Sequence, residues 1–273
     1  MQQIKLIKDL DKVPNVLKEQ IKGIWQKGDK VAVKLHMGEK HNSYYLKPKI
    51  IKKIIDVLLD EGVKPFLFDS VVLYAGARDS KQKYEKVAEE HGFSEEEIGC
   101  PVVIGKEGIV VEAKDINVHV CKELEEADGM LVVSHVKGHC SCGFGGAIKN
   151  LGMGGVTPQS KSVIHQAEEA EFDDLLAQGA GAVLKAAGDK VFYVNFLINI
   201  SKECDCANNA GPLVADDIGV LMGKDIVAID KASVDMIYEQ KPGIFDKIHN
   251  KDPYLQIDYA ERLGIGEKKY DIS

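Results

Sequence analysis

The residues best suited to chemistry are concentrated in positions 134–155, which read SHVKGHCSCGFGGAIKNLGMGG. An apolar segment, MLVV at 130–133, runs straight into this stretch. Imidazoles, thiols and ammonium groups alternate there with glycines, which let a backbone approach a ligand closely or turn with positive φ. The composition indicates the rim of a site rather than a core strand. Its reactive members are His135, Lys137, His139, Cys140, Cys142, Lys149 and Asn150.

Four of the six cysteines form two Cys-X-Cys pairs, Cys140 with Cys142 and Cys204 with Cys206. In extended backbone, residues i and i+2 point to the same side, so each pair can present two sulfurs to one centre. Four thiolates suit a tetrahedral Zn²⁺ or an iron–sulfur cluster. We therefore predict a metal site of these four cysteines and His135, with His139 as a substitute ligand. Two alternatives stay open: free, partly buried thiols, and a redox dithiol within one pair.

The elements that position these residues follow a strand–helix–strand pattern. Residues 29–36 and 64–68 are predicted strands, and between them Pro48 opens a helix whose apolar stripe is Ile51, Ile54, Ile55, Leu58 and Leu59. Such a unit implies a right-handed crossover and a parallel sheet. We predict a single α/β domain over residues 1–273, with a mixed, mostly parallel sheet, helices on both faces, and a small β-rich subregion at 100–121.

Ligands of such sheets bind outside the carboxyl ends of the strands. The side chains predicted there divide into two groups. The candidate catalytic residues, as proton donors or anion anchors, are Lys34, His36, Lys137 and His139. The candidate ligand-binding residues are Glu39, Asp69, Arg78, Lys149, Asn150 and the glycines Gly143, Gly145 and Gly146, whose turn can offer backbone N–H groups to an anion.

The C-terminal third is predicted to contain a buried strand over residues 190–200, followed by the polar loop that carries the second cysteine pair. Residues 226–229 are apolar and predict another short strand. Asp230 then suits the N-cap of a helix that runs to Gln240.

Composition limits the class of protein. The chain has 273 residues and a net charge of −8, from 35 Lys and Arg against 43 Asp and Glu. An acidic chain is poorly suited to bind nucleic acid, which requires basic surface. No apolar run approaches the roughly 20 residues that span a bilayer, and the N-terminus lacks the apolar core of a signal peptide. We therefore expect a cytoplasmic protein with no nucleic-acid or membrane partner, whose cysteines are thiols or metal ligands.

Several longer segments resemble the domain-of-unknown-function family 362, whose members are often described as uncharacterised iron–sulfur centre proteins. The segments are VAVKLHMGE, PFLFDSVVLYAGAR, ADGMLVVSHVKGH, GFGGAIKNLGMG, FLINISKECDC and DDIGVLMGKDIVAIDKASVD. The resemblance implies an α/β fold and iron–sulfur chemistry, but no particular reaction. Many members carry a ferredoxin-like, cysteine-rich insert before FLINIS, whereas residues 155–190 here contain no cysteine.

Three functional hypotheses follow. The first is a metal- or iron–sulfur-binding protein with a redox or metallo-enzyme role, whose cofactor is a zinc ion or a cluster. The second is a binding or transfer protein for a small anionic ligand bearing a phosphate or carboxylate, with no metal. The third is an interaction subunit whose metal is only structural. A coordination position left open to a ligand distinguishes the first from the third.

Overall fold

The computed structural model describes residues 1–273, which form twelve strands and eleven helices. The strands are β1 (Gln2–Ile7), β2 (Lys30–Lys34), β3 (Lys64–Ser70), β4 (Val102–Gly105), β5 (Gly108–Glu112), β6 (Asn117–Cys121), β7 (Gly129–His135), β8 (Lys137–His139), β9 (Gly143–Gly145), β10 (Val191–Leu197), β11 (Gly219–Gly223) and β12 (Tyr270–Ile272). The helices are α1 (Val13–Gln20), α2 (Pro48–Asp60), α3 (Lys81–Glu90), α4 (Glu95–Ile98), α5 (Lys122–Glu125), α6 (Ala147–Gly154), α7 (Pro158–Gln166), α8 (Phe172–Ala187), α9 (Ile226–Gln240), α10 (Ile244–His249) and α11 (Leu255–Arg262).

One eight-stranded sheet organises the chain, in the order β12-β1-β11-β10-β7-β2-β3-β4. Every neighbouring pair is parallel except the two that β11 makes with β10 and β1. The predicted mixed, mostly parallel α/β sheet is therefore confirmed. Two further two-stranded antiparallel sheets, β5-β6 and β8-β9, lie outside it.

The central strands are buried on both faces, which explains why they appear as continuous apolar runs. Alternate residues of β7 enter different cores: Met130 and Val132 belong to the larger apolar cluster, and Leu131 and Val133 to the second. Helices α6, α8 and α9 contribute to the first cluster, whereas α1, α2 and α3 contribute to the second. Helices thus cover both faces, as the sequence predicted.

Helix α2 begins at Pro48, and Ile51, Ile54, Ile55 and Leu58 are fully buried, as their spacing predicts. Leu59, which was assigned to the same stripe, is instead 43% exposed. No helix of this fold combines the length and the apolar character that a membrane crossing requires.

Two predictions for the C-terminal third are wrong. The apolar run 226–229 is the first turn of α9 rather than a strand, and Asp225 caps that helix by accepting hydrogen bonds from the N–H groups of Val227 and Ala228. A short apolar run cannot be assigned to helix or strand by periodicity when it is buried on all sides. Asp230 is therefore not the N-cap of a helix. It lies buried in the second turn of α9.

Candidate metal centre and cavity

A cavity of about 130 Å³ opens at the carboxyl ends of β2 and β3. Its wall includes six of the residues that the sequence singled out at strand ends and in the glycine-rich stretch: Lys34, His36, Asp69, Arg78, Lys149 and Asn150. His139 and Cys206 also reach it. Because parallel strands end at one edge of the sheet, segments far apart in sequence meet at this cavity.

Three potential metal ligands come together beside the cavity. The ligand atoms of His139, Cys204 and Cys206 all lie within 4.8 Å of one another. The Nδ1 atom of His139 accepts a hydrogen bond from the Ser141 N–H at 3.2 Å, while its Nε2 atom has no hydrogen-bond partner in the chain. Burial and the charge of Lys149 lower the pKa of His139 to about 3, so its imidazole is neutral. With Nδ1 as the acceptor the ring proton lies on Nε2, and a metal at Nε2 would require that proton to leave or to move to Nδ1.

The loop that carries Cys204 and Cys206 is fixed by the residue between them. Asp205 is fully buried, and its carboxylate contacts His135 Nδ1 at 2.9 Å and Lys137 Nζ at 3.0 Å. Burial alone would raise the pKa of Asp205, but these two neighbours lower it far below its usual value. The Asp205 carbonyl also accepts the N–H of Glu39 at 2.9 Å. The carboxylate thus attaches the loop to β7 and β8.

His135 and Lys137 therefore have structural contacts in this fold. The second ring nitrogen of His135, Nε2, contacts the Ile198 carbonyl oxygen at 2.8 Å, so neither nitrogen is available to a metal. Lys137 Nζ also donates to the His135 carbonyl at 2.8 Å. Neither residue lines the cavity.

The first cysteine pair does not join the group of three. Cys140 is exposed, and its sulfur lies 3.8 Å from the Ser141 hydroxyl. Cys142 is buried among apolar side chains, where its thiol donates to the Phe144 carbonyl at 3.1 Å and lies 3.3 Å from His139 Nδ1. The structure thus brings two of the four predicted thiols together and leaves the other two apart.

Lys149 is the cation closest to the second cysteine pair, with its Nζ atom 3.4 Å from Cys204 Sγ. A hydrogen bond from the Cys206 thiol lowers the pKa of Cys204 well below its ordinary value, and the charges of Lys149 and Lys137 act in the same direction. Burial alone would lower the pKa of Lys149, but the adjacent thiols raise it. One thiolate next to an ammonium group is the state that these contacts favour.

A buried ion pair forms the floor of the cavity. Lys34 Nζ lies 3.0 Å from Asp69 Oδ1 and donates to Asn150 Oδ1 at 2.7 Å. The Tyr84 hydroxyl donates to the other oxygen of Asp69. Burial lowers the pKa of Lys34. It would raise the pKa of Asp69, but Lys34 and other cations nearby lower it.

Arg78 forms a second buried network that lines the cavity. Its Nε atom donates to Glu39 at 3.0 Å, and the remaining nitrogens reach His36 Nε2 at 3.0 Å and the Tyr74 hydroxyl at 2.6 Å. Burial and the charge of Arg78 lower the pKa of His36 to about 3, so this imidazole is neutral. Glu39 contacts the network but does not line the cavity itself.

The glycine turn predicted to bind an anion already holds a carboxylate of the chain. Asp230 accepts the N–H groups of Ala147 and Ile148 at 2.7 and 2.8 Å, at the start of α6. A Cβ atom on Gly146 would lie 2.4 Å from Asp230 Oδ1. The turn is glycine-rich because the carboxylate approaches its backbone. Gly143, Gly145 and Gly146 lie outside the cavity.

Sequence reasoning missed several cavity residues, among them Lys161 and His165 of α7. Their spacing of four places them on one face of a helix, which is the signal that could have revealed them. Lys161 is buried, and burial lowers its pKa to about 8. His165 lines the cavity and is exposed, and burial of part of its ring lowers its pKa.

Comparison with one solved structure supports the α/β fold. A crystal structure of a protein from Thermotoga maritima, solved by the Northeast Structural Genomics Consortium, superposes with a TM-score of 0.52 and 12% sequence identity, covering 93% of this chain and 59% of the other. The lactate racemase apoprotein from Thermoanaerobacterium thermosaccharolyticum gives a TM-score of 0.49 and 13% identity, covering 72% and 50%. The chain thus spans between half and three fifths of the length of these structures.

No curated protein matches the chain in sequence. One family model does: the domain of unknown function (DUF362) matches residues 31–235, which include all but the first residue of β2, the cavity residues and the second cysteine pair. The match spans most of the chain, and it confirms the resemblance found in the sequence segments. This chain belongs to the DUF362 family.

Proposed function

We propose that this protein binds one metal ion through His139, Cys204 and Cys206 and that the ion serves a metallo-enzyme reaction in the adjoining cavity. The observation that supports the proposal is the convergence of these three ligand atoms within 4.8 Å. Some catalytic zinc sites have this donor set: two thiolates and one imidazole bind the ion, and the fourth position is left open to water or substrate. A divalent cation bound there would polarise a ligand oxygen or lower the pKa of a bound water.

The open position distinguishes an enzyme from a protein with a purely structural metal. Structural zinc sites are closed by four protein ligands. Here Cys206 and His139 both line the cavity, so a small molecule can reach them. The ammonium of Lys34, whose pKa is lowered by burial, is the group able to hold or move a proton near such a molecule.

The residues fit a single ion better than an iron–sulfur cluster. Clusters are held by four cysteine thiolates, and only Cys204 and Cys206 belong to the group. Cys140 is exposed and Cys142 donates to a backbone carbonyl. Because free thiolates persist in reducing compartments, the proposal includes a cytoplasmic location.

A second candidate function is a binding or transfer protein without metal. The contact between Lys149 and Cys204 favours it. The ammonium group already compensates the negative charge of the thiolate, which a metal cation would otherwise compensate. The cavity would then serve an anionic ligand alone, and the thiols would position Lys149.

Elemental analysis and an assay of acid-labile sulfide test the proposal. Both are measured on anaerobically purified protein, before and after reconstitution with zinc. We expect about one metal ion per chain without sulfide, and loss of the ion from a His139→Ala variant. His249→Ala is the matched control, because His249 makes one contact with a backbone carbonyl and lies outside the cavity. Iron with stoichiometric sulfide would replace the proposal with a cluster. No metal under either condition would leave the second candidate.

A further inference from the structure

We infer that the cavity beside the metal position binds a small organic acid, with the carboxylate against Lys149 and Lys34 and the hydrocarbon part against Met153 and Phe172. The inference extends the proposed function because the ligand lies next to the proposed ion. It rests on other residues, however, and can be tested in the absence of metal.

Positive charge is in excess at the cavity. Four cationic side chains line it: Lys34, Arg78, Lys149 and Lys161. Carboxylates contact only two of them, Asp69 on Lys34 and Glu39 on Arg78. Lys149 is paired with the Cys204 thiolate, whereas Lys161 contacts only neutral hydroxyl and carbonyl oxygens. A bound anion would compensate the remaining charge in a site shielded from solvent.

Hydrogen-bond donors separate the cations that can hold an anion from those that cannot. An ammonium group has three donors, and all three of Lys161 have partners in Ser70 and Val71. Lys34 uses two, on Asp69 and Asn150. Lys149 has a single contact, with Cys204. Lys149 therefore has the most donors free for a ligand and Lys34 has one, while Lys161 contributes charge at a distance.

The remaining wall favours a ligand with a hydrocarbon part over an inorganic anion. Val72, Leu73, Met153 and Phe172 contribute apolar surface to the cavity. A cavity of about 150 Å³ holds a benzene ring, and this one is about 130 Å³. An acid of about six non-hydrogen atoms would fill it.

The competing anion site predicted from the sequence is already filled. The backbone N–H groups at the start of α6 are bonded to Asp230, which Asn195 also contacts at 2.8 Å. An external anion would have to displace a fully buried carboxylate from this position. The free donors of the cavity are the better anion site.

Ligand-observed NMR titration of the metal-free protein with formate, acetate, propionate and butyrate tests the inference. We expect saturable binding that strengthens roughly fourfold with each CH₂ group until the cavity is full. Propionamide should bind at least about tenfold more weakly than propionate, because it lacks the charge. Equal binding of the amide, tighter binding of inorganic phosphate, or no saturable binding of any acid would each overturn the inference.

Lys149→Gln should weaken propionate binding by about tenfold or more. Lys86→Gln is the matched control, because it removes the same charge from a side chain that is 75% exposed on α3, and it should bind like the wild type. Equal weakening in both variants would show that only overall charge matters and would contradict the inference. If Lys149→Gln does not fold, the comparison of propionate with propionamide on the wild type decides alone. A wild-type protein that holds one metal ion but binds no acid would contradict this inference only, and a wild-type protein that binds acids but holds no metal would contradict only the metal proposal.

Discussion

The two Cys-X-Cys pairs have the same spacing but lie in different surroundings. In the pair around Asp205, the middle residue is a buried carboxylate held by two side chains, and both sulfurs belong to the group with His139. In the pair around Ser141, one sulfur is exposed and the other lies in an apolar cluster. The two pairs share one spacing and differ in the contacts of the middle residue, so the spacing of the thiols alone does not decide whether a pair can form a site.

The largest effect is expected when each cysteine pair is replaced by serines in a separate variant. Cys204→Ser with Cys206→Ser should weaken metal binding by roughly 10⁴-fold or more, because even outer contacts of a ligand are worth 10- to 100-fold each. Cys140→Ser with Cys142→Ser should keep the metal. Equilibrium dialysis against zinc, with circular dichroism to check folding, measures both. Equal losses in the two variants would show that all four thiols bind one centre.

Replacing the middle residue should have the next largest effect. Asp205→Asn leaves the buried cation Lys137 without a charged partner, which costs about 3–5 kcal/mol of unfolding free energy. Ser141→Ala removes the corresponding residue of the other pair and should change stability by less than about 0.5 kcal/mol. Urea denaturation at pH 7 compares them. An Asp205→Asn variant as stable as the wild type would show that the carboxylate does not hold the loop.

The two pairs also differ in the pH dependence of the carboxylates near them. The pKa of Asp205 is lowered, so its stabilising contribution is present above the unfolded pKa of about 3.9 and is lost as pH falls. Asp173, whose charge acts on Cys142, is 4% exposed, and its Oδ1 atom has no hydrogen-bond partner. Burial raises the pKa of Asp173 to about 7, so its contribution is present below about pH 4 and is lost as pH rises towards 7.

Asp173→Asn should therefore stabilise the protein at pH 8, by roughly 2 kcal/mol, and have less effect at pH 4. Thermal or urea unfolding across this range measures the difference. A variant that is less stable than the wild type at pH 8 would mean that the Asp173 carboxylate has a partner when ionised.

The glycine turn after the first pair provides a further comparison, with an expected effect of similar size. Gly146→Ala places a Cβ atom 2.4 Å from Asp230 Oδ1, which should cost about 1–3 kcal/mol. Gly145→Ala is the matched control, because its Cβ would come no closer than 3.7 Å to Lys137 or Lys149. Urea denaturation of the two variants tests whether close approach of Asp230 is the reason for the glycine. Equal stability would remove that explanation.

Much of the fold could be predicted from local pattern. The Pro48 helix, the strands that flank it and the position of polar residues at strand ends follow from periodicity and from the rules of parallel sheets. The cavity residues Lys34, His36 and Asp69 were found in this way. The run at 226–229 was misassigned because a buried first turn of a helix is as apolar as a strand.

The composition of the candidate site could not be predicted to the same extent. Spacing shows that two sulfurs can point to one side, but the partners of Asp205 come from a segment about 70 residues away in sequence, whereas the Ser141 hydroxyl contacts only its neighbour Cys140. The glycine turn looked like an anion site because the carboxylate that fills it comes from α9, more than 80 residues away in sequence.

X-ray absorption spectroscopy of the zinc-loaded protein tests the central claim most directly, since it counts the sulfur atoms bound to the metal. The account predicts two sulfurs at about 2.3 Å and the remaining ligands, nitrogen or oxygen, at about 2.0 Å. Four sulfur ligands would show that Cys140 and Cys142 move to the metal, and a shell without sulfur would show that the ion does not bind at Cys204 and Cys206. Either result would contradict the difference between the two cysteine pairs.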